Sequence, residues 1–136
     1  MLSRVLSLGV QSHRREELID ITEDVRSLIR TASFRHGLCT VYCPHTTAAV
    51  TVQEHADPDV AHDILLWLNR VIPKHMDGFR HSEGNSDAHV KSALVGTSLT
   101  LIIQEGEILL GTWQGIFFCE FDGPRQRMVK IQLLGE

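Results

Sequence analysis

The chain of 136 residues has no apolar run approaching the ~20 residues that a membrane-spanning helix needs, so no membrane partner is expected. It also lacks an excess of positive charge. A formal net charge of −4 gives no electrostatic footprint for nucleic acid or an anionic surface. The opening MLSRVLSLGVQSHRREE contains no long apolar stretch followed by small residues, and no secretory signal is expected from it. Cysteine is scarce: Cys39, Cys43 and Cys119 are odd in number and form no C-x-x-C pair. They read as reduced, half-buried residues of a cytoplasmic protein. No internal repeat, low-complexity tract or Pro/Gly/Ser-rich linker divides the chain, and its length suits one domain, 1–136, around a modest core.

What is present is a succession of short, patterned segments. SRVLSLGV and EELIDIT read as strands separated by a polar turn. Thr22 then stands where a helix N-cap belongs, with Glu23 and Asp24 in the first turn and Val25, Leu28 and Ile29 on one apolar face. GLCTVYC and TAAVTVQE follow as strands around the bend PHT. Asp57 before Pro58 is a helix start, and Val60, Ile64, Leu65 and Leu68 form its stripe up to Pro73. Residues 73–86 have no period, and an irregular connection of that length is more often functional than idle. Asp87 is placed to cap a short helix through AHVKSALVG. TSLTLIIQ, EILLGTWQGIFFCEF and RMVKIQLLG complete the chain as strands broken by glycine and the turn DGPR. Strands, helix, strands, helix, strands without βαβ alternation make an α+β fold, a mainly antiparallel two-sheet β-sandwich with two main helices.

Eight histidines are the compositional oddity. In HSEGNSDAH the Gly84-Asn85 reversal can bring His81 and His89 together, with Asp87 alongside. Adding His45 from PHTT gives three imidazoles, a set suited to Zn²⁺ or a similar divalent ion with a position left open for water or substrate. Asp87 or Glu54 would orient a ring through its second nitrogen. His13, His36, His55, His62 and His75 read as solvated side chains. Glu120, Asp122, Arg125 and Arg127 form either a charged hairpin tip or a grip in which Arg125 or Arg127 takes a phosphate or carboxylate through paired hydrogen bonds. Trp113 reads as packing, while Gly111 and Gly115 mark a bulge or a close approach. Cys39 and Cys43 share parity on their strand and are expected to face the core.

PHTTAA, GNSDAH, GTWQGI and EFDGPRQR, in this order, closely resemble the YjbQ-like family, also called the secondary thiamine-phosphate synthase family, over nearly the whole chain. The resemblance implies a two-sheet α+β fold assembled as a homotrimer with sites near subunit boundaries. It implies a metal ion at His45, His81 and His89, with Asp87 and Glu54 nearby; Zn²⁺ is favoured and Mg²⁺ is the alternative. It further implies a weak joining of a pyrimidine pyrophosphate to a thiazole phosphate. The expected chemistry is then metal-assisted action on a small phosphorylated substrate. Asp87 or Glu54 would hold an imidazole or move a proton, and Arg125, with Arg127, would neutralise anionic oxygens. Thr46, Thr47, Asn85, Gly111, Thr112, Trp113 and Gln114 would line the substrate. The competing expectations are a metal-hydroxide hydrolase and a non-catalytic metal- or anion-binding module.

Overall fold

The computed structural model describes all residues, 1–136. Two antiparallel sheets carry the architecture. Strands β1 (Leu2–Gln11), β3 (Gly37–Tyr42), β5 (Ser98–Gln104), β6 (Glu107–Ile108) and β8 (Gln126–Gly135) form one, in the order β1-β8-β3-β5-β6. Strands β2 (Glu17–Asp20), β7 (Gln114–Glu120) and β4 (Ala48–Glu54) form the other, in the order β2-β7-β4. Three helices, α1 (Thr22–Ala32), α2 (Pro58–Val71) and α3 (Ser86–Val95), complete the α+β fold. No helix is long and apolar enough to cross a membrane.

Alternation along the strands sorts the side chains between layers. Val41, Val129, Ile131 and Leu133 of the larger sheet meet Ala48, Val50, Ile116 and Phe118 of the smaller one, and Val25 and Ile29 of α1 close this core. The opposite face of the smaller sheet presents Ala49 and Cys119, which pack with Phe121 against Leu68 and Ile72 of the second helical segment and Ala88 of α3. Cys39 and Cys43 are buried as their parity predicts, and burial pushes the Cys39 thiol up to about 12. The outer face of the larger sheet is open. Ile102, Leu38 and Leu134 lie opposite one another on adjacent strands, 53%, 44% and 39% exposed.

Local chemistry departs from expectation at two helix starts. Ile21, not Thr22, is the residue before α1; Asp20 Oδ1 accepts from the Thr22 backbone N–H and hydroxyl. The Thr22 hydroxyl oxygen instead accepts from the Ile116 N–H, tying α1 to β7. Asn85 precedes α3, so Asp87 lies inside its first turn rather than capping it. At α2 the expected device is present, with the Asp57 carboxylate accepting from the Asp59 N–H and Pro58 opening the helix. The segment EILLGTWQGIFFCEF is two strands, because Leu109–Trp113 leaves the larger sheet and β7 joins the smaller one.

Candidate functional site

Register places the bend 44–47 beside the end of β7, since Ala48 pairs with Glu120. The N-terminus of α3 and the turn 121–125 arrive at the same end of the smaller sheet. Between them lies a cleft of about 350 Å³ lined by Pro44, His45, Thr46, Thr47, Glu83, Asn85, His89, Asp122, Arg125 and Arg127. None of the ten lining side chains is hydrophobic, apart from the ring of Pro44. A neighbouring cavity of about 300 Å³ takes in His81, Gly84 and Ser86. Gly84 adopts φ +74°, the left-handed conformation that permits the reversal between the two histidines. It brings the rings of His81 and His89 to 5.2 Å between centroids, edge to face. His81 Nε2 also lies 3.4 Å from the Glu83 carboxylate.

His45 sits half-buried in the same cleft as His89, its ring edge-on to Phe118. Its Nε2 lies 3.0 Å from both the amide nitrogen and the carbonyl oxygen of Met128. Either the Met128 N–H donates to this nitrogen or an Nε2–H donates to the carbonyl; in both tautomers Nδ1 is the atom left for a ligand. Burial, reinforced by the Arg127 charge, holds the His45 pKa below the usual histidine value, so the ring is neutral at pH 7. No three of the chain's His, Cys, Asp and Glu side chains are grouped to hold a metal ion. Within one chain the expected three-imidazole cluster is therefore a pair, His81 and His89, with His45 elsewhere in the cleft.

Both arginines of the FDGPRQR stretch line this cleft, in different states. Arg127 is buried and committed: its Nε donates to Glu120 Oε1 at 2.9 Å, and its Nη2 to Glu120 Oε2 and the Thr47 hydroxyl. Glu120 takes two further bonds, from the Ser12 hydroxyl and the Asp122 N–H. Burial pushes the Glu120 carboxyl up, but these hydrogen bonds, Arg127's first, outweigh it and keep the group ionised. The pair is thus neither a surface hairpin tip nor an open phosphate grip. The Arg125 side chain is half exposed, and its guanidinium bonds only to Asp122, at the backbone carbonyl and at Oδ2. It is the arginine available to a ligand.

Two expected acid–base residues lie elsewhere. Asp87 is fully buried and turned away from the imidazoles, its oxygens accepting from Arg15 at 3.0 and 3.2 Å and from Lys91 at 3.0 Å. Lys91, also fully buried, spends its other two hydrogens on Glu16 at 3.0 Å and Asn69 at 2.7 Å. This network anchors α3 to the turn before β2, and so fixes the helix that carries His89. Only the Asp87–Lys91 spacing of four residues hinted at it; Arg15 and Glu16 are too remote in sequence to be linked to it by pattern. Glu54 ends β4 opposite Gln114. From Ala48 to Glu54 at ~3.3 Å per residue, it stands about 20 Å from the cleft.

Gly111, Thr112, Trp113 and Gln114 share that remote end. The Gln114 side-chain oxygen accepts from the Gly111 N–H at 2.8 Å, and Trp113 is 62% exposed rather than packed. His55 is not a solvated bystander either: its Nδ1 lies 2.8 Å from Asp20 Oδ2, and the ring covers Gly115, where a Cβ would fall 2.4 Å from Nδ1.

The family model described as "UPF0047 protein YjbQ-like" matches residues 7–136. A UPF0047 protein of Methanocaldococcus jannaschii is 52% identical over 136 residues, covering 100% of this chain and 98% of the relative. The UPF0047 protein YugU of Bacillus subtilis is 46% identical over 95% of this chain and 98% of its own length. Among solved structures, a YjbQ/UPF0047 protein of Clostridium acetobutylicum superposes with a TM-score of 0.92 at 45% identity, covering 95% and 99% of the two chains. A YbjQ-like protein of Sulfolobus solfataricus superposes with a TM-score of 0.94 at 30% identity, covering 99% of each.

Proposed function

The chain belongs to the UPF0047 YjbQ-like family, and from that premise and the cleft we propose an enzyme acting on a small phosphorylated substrate. The reaction is of the thiamine-phosphate synthase type, in which a carbon–oxygen bond to a leaving pyrophosphate breaks as a thiazole phosphate is joined to a pyrimidine. The observation that carries this reading is the polar cleft itself: Arg125 partly free, neutral His45, His89 and the Thr46 hydroxyl around about 350 Å³. Arg125 binds phosphate oxygens with Nη1 and the second hydrogen of Nη2, which Asp122 leaves free. Thr46 donates a hydroxyl hydrogen bond to the same group. His45 Nδ1 gives or takes a proton, its ring held in place by Met128. Arg127 and Thr47, buried in the cleft's wall, fix the bend that carries His45.

A divalent ion would be held by His81 and His89, with His45 as the further imidazole. His81 and His89, whose ring centroids are 5.2 Å apart, are the imidazoles that would hold it, and the ion would add a Lewis acid at the cleft's edge. Such an ion would supply charge neutralisation at phosphate oxygens, and imidazole donors favour zinc or a similar transition metal over magnesium. A single chain offers no third grouped ligand, so no step here depends on the ion. The same imidazole-rich donor set supports hydrolysis of a phosphate ester as the second reading.

The open sheet face supports assembly as a homotrimer. Ile102, Leu38 and Leu134 are joined on that face by the exposed Val5, Tyr42 and Met128, apolar side chains that a neighbouring copy would cover. Light scattering should return a trimer for the native chain and a monomer for Leu38→Glu.

Turnover decides between enzyme and binding module. The purified chain, given a pyrimidine-methyl pyrophosphate with a thiazole phosphate, should release pyrophosphate, and Arg125→Ala should lower that rate at least tenfold. Binding of both compounds with no bond broken, in that mixture and with simple phosphate esters, would leave the module reading in its place.

A further inference from the structure

One buried side chain outside the cleft's lining links the two arginines within it. Ser12 directly follows β1, is 1% exposed, and belongs to a stretch that the sequence presents only as a polar turn. Its hydroxyl oxygen lies 2.7 Å from Glu120 Oε1, which also accepts from Arg127 Nε, and 2.9 Å from the backbone nitrogen of Arg125. A hydroxyl has one hydrogen to give. The carboxylate, charged and nearest, takes it, and the oxygen accepts from the Arg125 N–H. The carboxylate's pull on that hydrogen strengthens the acceptance. The Arg125 carbonyl, 3.0 Å from the same hydroxyl, accepts from the Ser12 N–H at 3.1 Å. Both backbone groups of Arg125 are thus bonded to Ser12.

Two further contacts seat the turn. The Gly123 N–H donates to the Arg15 carbonyl at 2.9 Å. A Cβ on Gly123 would fall 2.4 Å from the Arg14 carbonyl oxygen and 2.7 Å from Ser12 Oγ, so glycine lets the turn lie directly on residues 12–15. The guanidinium of Arg125, by contrast, bonds only within its own turn, to Asp122, which the Asn85 amide holds from the other side. Its place in the cleft therefore depends on two supports, Asn85 at Asp122 and Ser12 at the arginine's own backbone. Through Ser12 the turn is tied to the Glu120–Arg127 pair, which is buried and already committed.

We infer that Ser12 is a positioning residue of the cleft: its hydroxyl holds Arg125 where the guanidinium meets phosphate oxygens, and it touches no ligand itself. The inference rests on the reading of the cleft as a site for a phosphorylated molecule bound by Arg125. It gives the buried Glu120–Arg127 pair a second task, as the fixed point to which the ligand-binding arginine is referred. Paired hydrogen bonds to an anion need both donors in place at once. A small swing of the turn therefore weakens binding more than it weakens the fold.

Calorimetric titration with inorganic pyrophosphate tests this on four proteins: native, Ser12→Ala, Arg125→Ala and the double variant. Ser12→Ala should bind about fivefold more weakly than the native chain, and Arg125→Ala about tenfold. The double variant should bind as Arg125→Ala does, within about twofold, because the hydroxyl acts only through the guanidinium that is gone. Urea unfolding of the same four should show the opposite pattern. There Ser12→Ala costs the same stability with or without the Arg125 side chain, since its bonds are to the Arg125 backbone and Glu120. A merely structural serine would not produce that contrast. If alanine impairs folding, Ser12→Cys, a weaker hydrogen-bonding group at the same position, replaces it in the cycle. Native-like binding by the Ser12 variant overturns the inference, and so does a double variant weakened by the same further factor as the native chain. Either result leaves the phosphate reading standing. Failure of the native chain to bind pyrophosphate overturns that reading and the inference with it.

Discussion

Replacing Lys91 by Met removes a charge from the interior and leaves most of the side chain's volume. The ammonium has three hydrogens and three acceptors, Asp87, Glu16 and Asn69, and both Lys91 and Asp87 are 0% exposed. Taking one partner from a buried ion pair costs about 3–5 kcal/mol, because the other charge is left without compensation. Here Arg15 still reaches Asp87 and Glu16, but one cation must then serve two carboxylates. The expected loss at pH 7 is therefore toward the lower end, about 3 kcal/mol.

The pH dependence identifies the cause. In the native chain burial pushes the Asp87 carboxyl up, and the hydrogen bonds from Arg15 and Lys91 outweigh it, holding the pKa below the ordinary value. A depressed carboxyl stabilises the fold above its unfolded pKa, and that contribution fades as pH falls through the folded one. Without Lys91 one depressing partner is gone and burial remains, so the folded pKa rises and Asp87 takes up a proton sooner. The penalty of Lys91→Met should be largest at pH 7 and at least about 1 kcal/mol smaller at pH 4. Urea unfolding of both proteins at each pH, at one chain concentration, measures it, and histidine titrations common to the two cancel in the difference. A loss below about 1 kcal/mol at pH 7, or one that does not change with pH, would refute the account of this network.

Glu120→Gln should cost about 3 kcal/mol in the same assay, since it leaves the Arg127 guanidinium buried without its carboxylate. Gly115→Ala should cost about 1–3 kcal/mol because the new Cβ displaces the His55 ring from Asp20; His55→Ala in the same chain should recover most of that loss. His45 should titrate by NMR below the ordinary histidine value, and Arg127→Met should move it up. Its depressed pKa favours the neutral ring in the folded state, so its contribution is present above the unfolded value and is lost as pH falls through the folded one.

The elements were legible where local periodicity and burial agree. Alternation in GLCTVYC places Cys39 and Val41 inside, and Asp57-Pro58 starts a helix by its own chemistry. The reversal at Gly84 was legible too, and with it the meeting of His81 and His89. What pattern could not supply was the partner of each charge. Asp87 beside His89 suggested an imidazole's carboxylate, but side chains two residues apart on a helix face different ways, and Asp87 turns inward to Arg15 and Lys91. Arg125 and Arg127 look equivalent in FDGPRQR. Their fates divide because Arg127 faces inward from the start of β8 onto Glu120, while Arg125 lies in the turn before it.

One disposition in the fold bears on how the family's motifs cooperate. The bend at His45, the start of α3 and the turn at Arg125 share one end of the β4–β7 pair, whereas Gly111–Gln114 sits about 20 Å away at the other. No side-chain motion within a chain closes that gap. If Trp113 and its loop serve the cleft, they serve that of a neighbouring copy in the proposed trimer, and the 62% exposure of Trp113 leaves it free to do so. Mixing subunits tests this. Arg125→Ala and Trp113→Ala, each weak alone, should regain activity when unfolded together and reassembled. A cleft with intact Arg125 from one variant and intact Trp113 from the other is then formed at about a quarter of the sites, by random assembly around a threefold ring. Mixed assemblies no more active than their parents would place the tryptophan outside the site, and the cleft at the other end of the sheet would have to account for the chemistry alone.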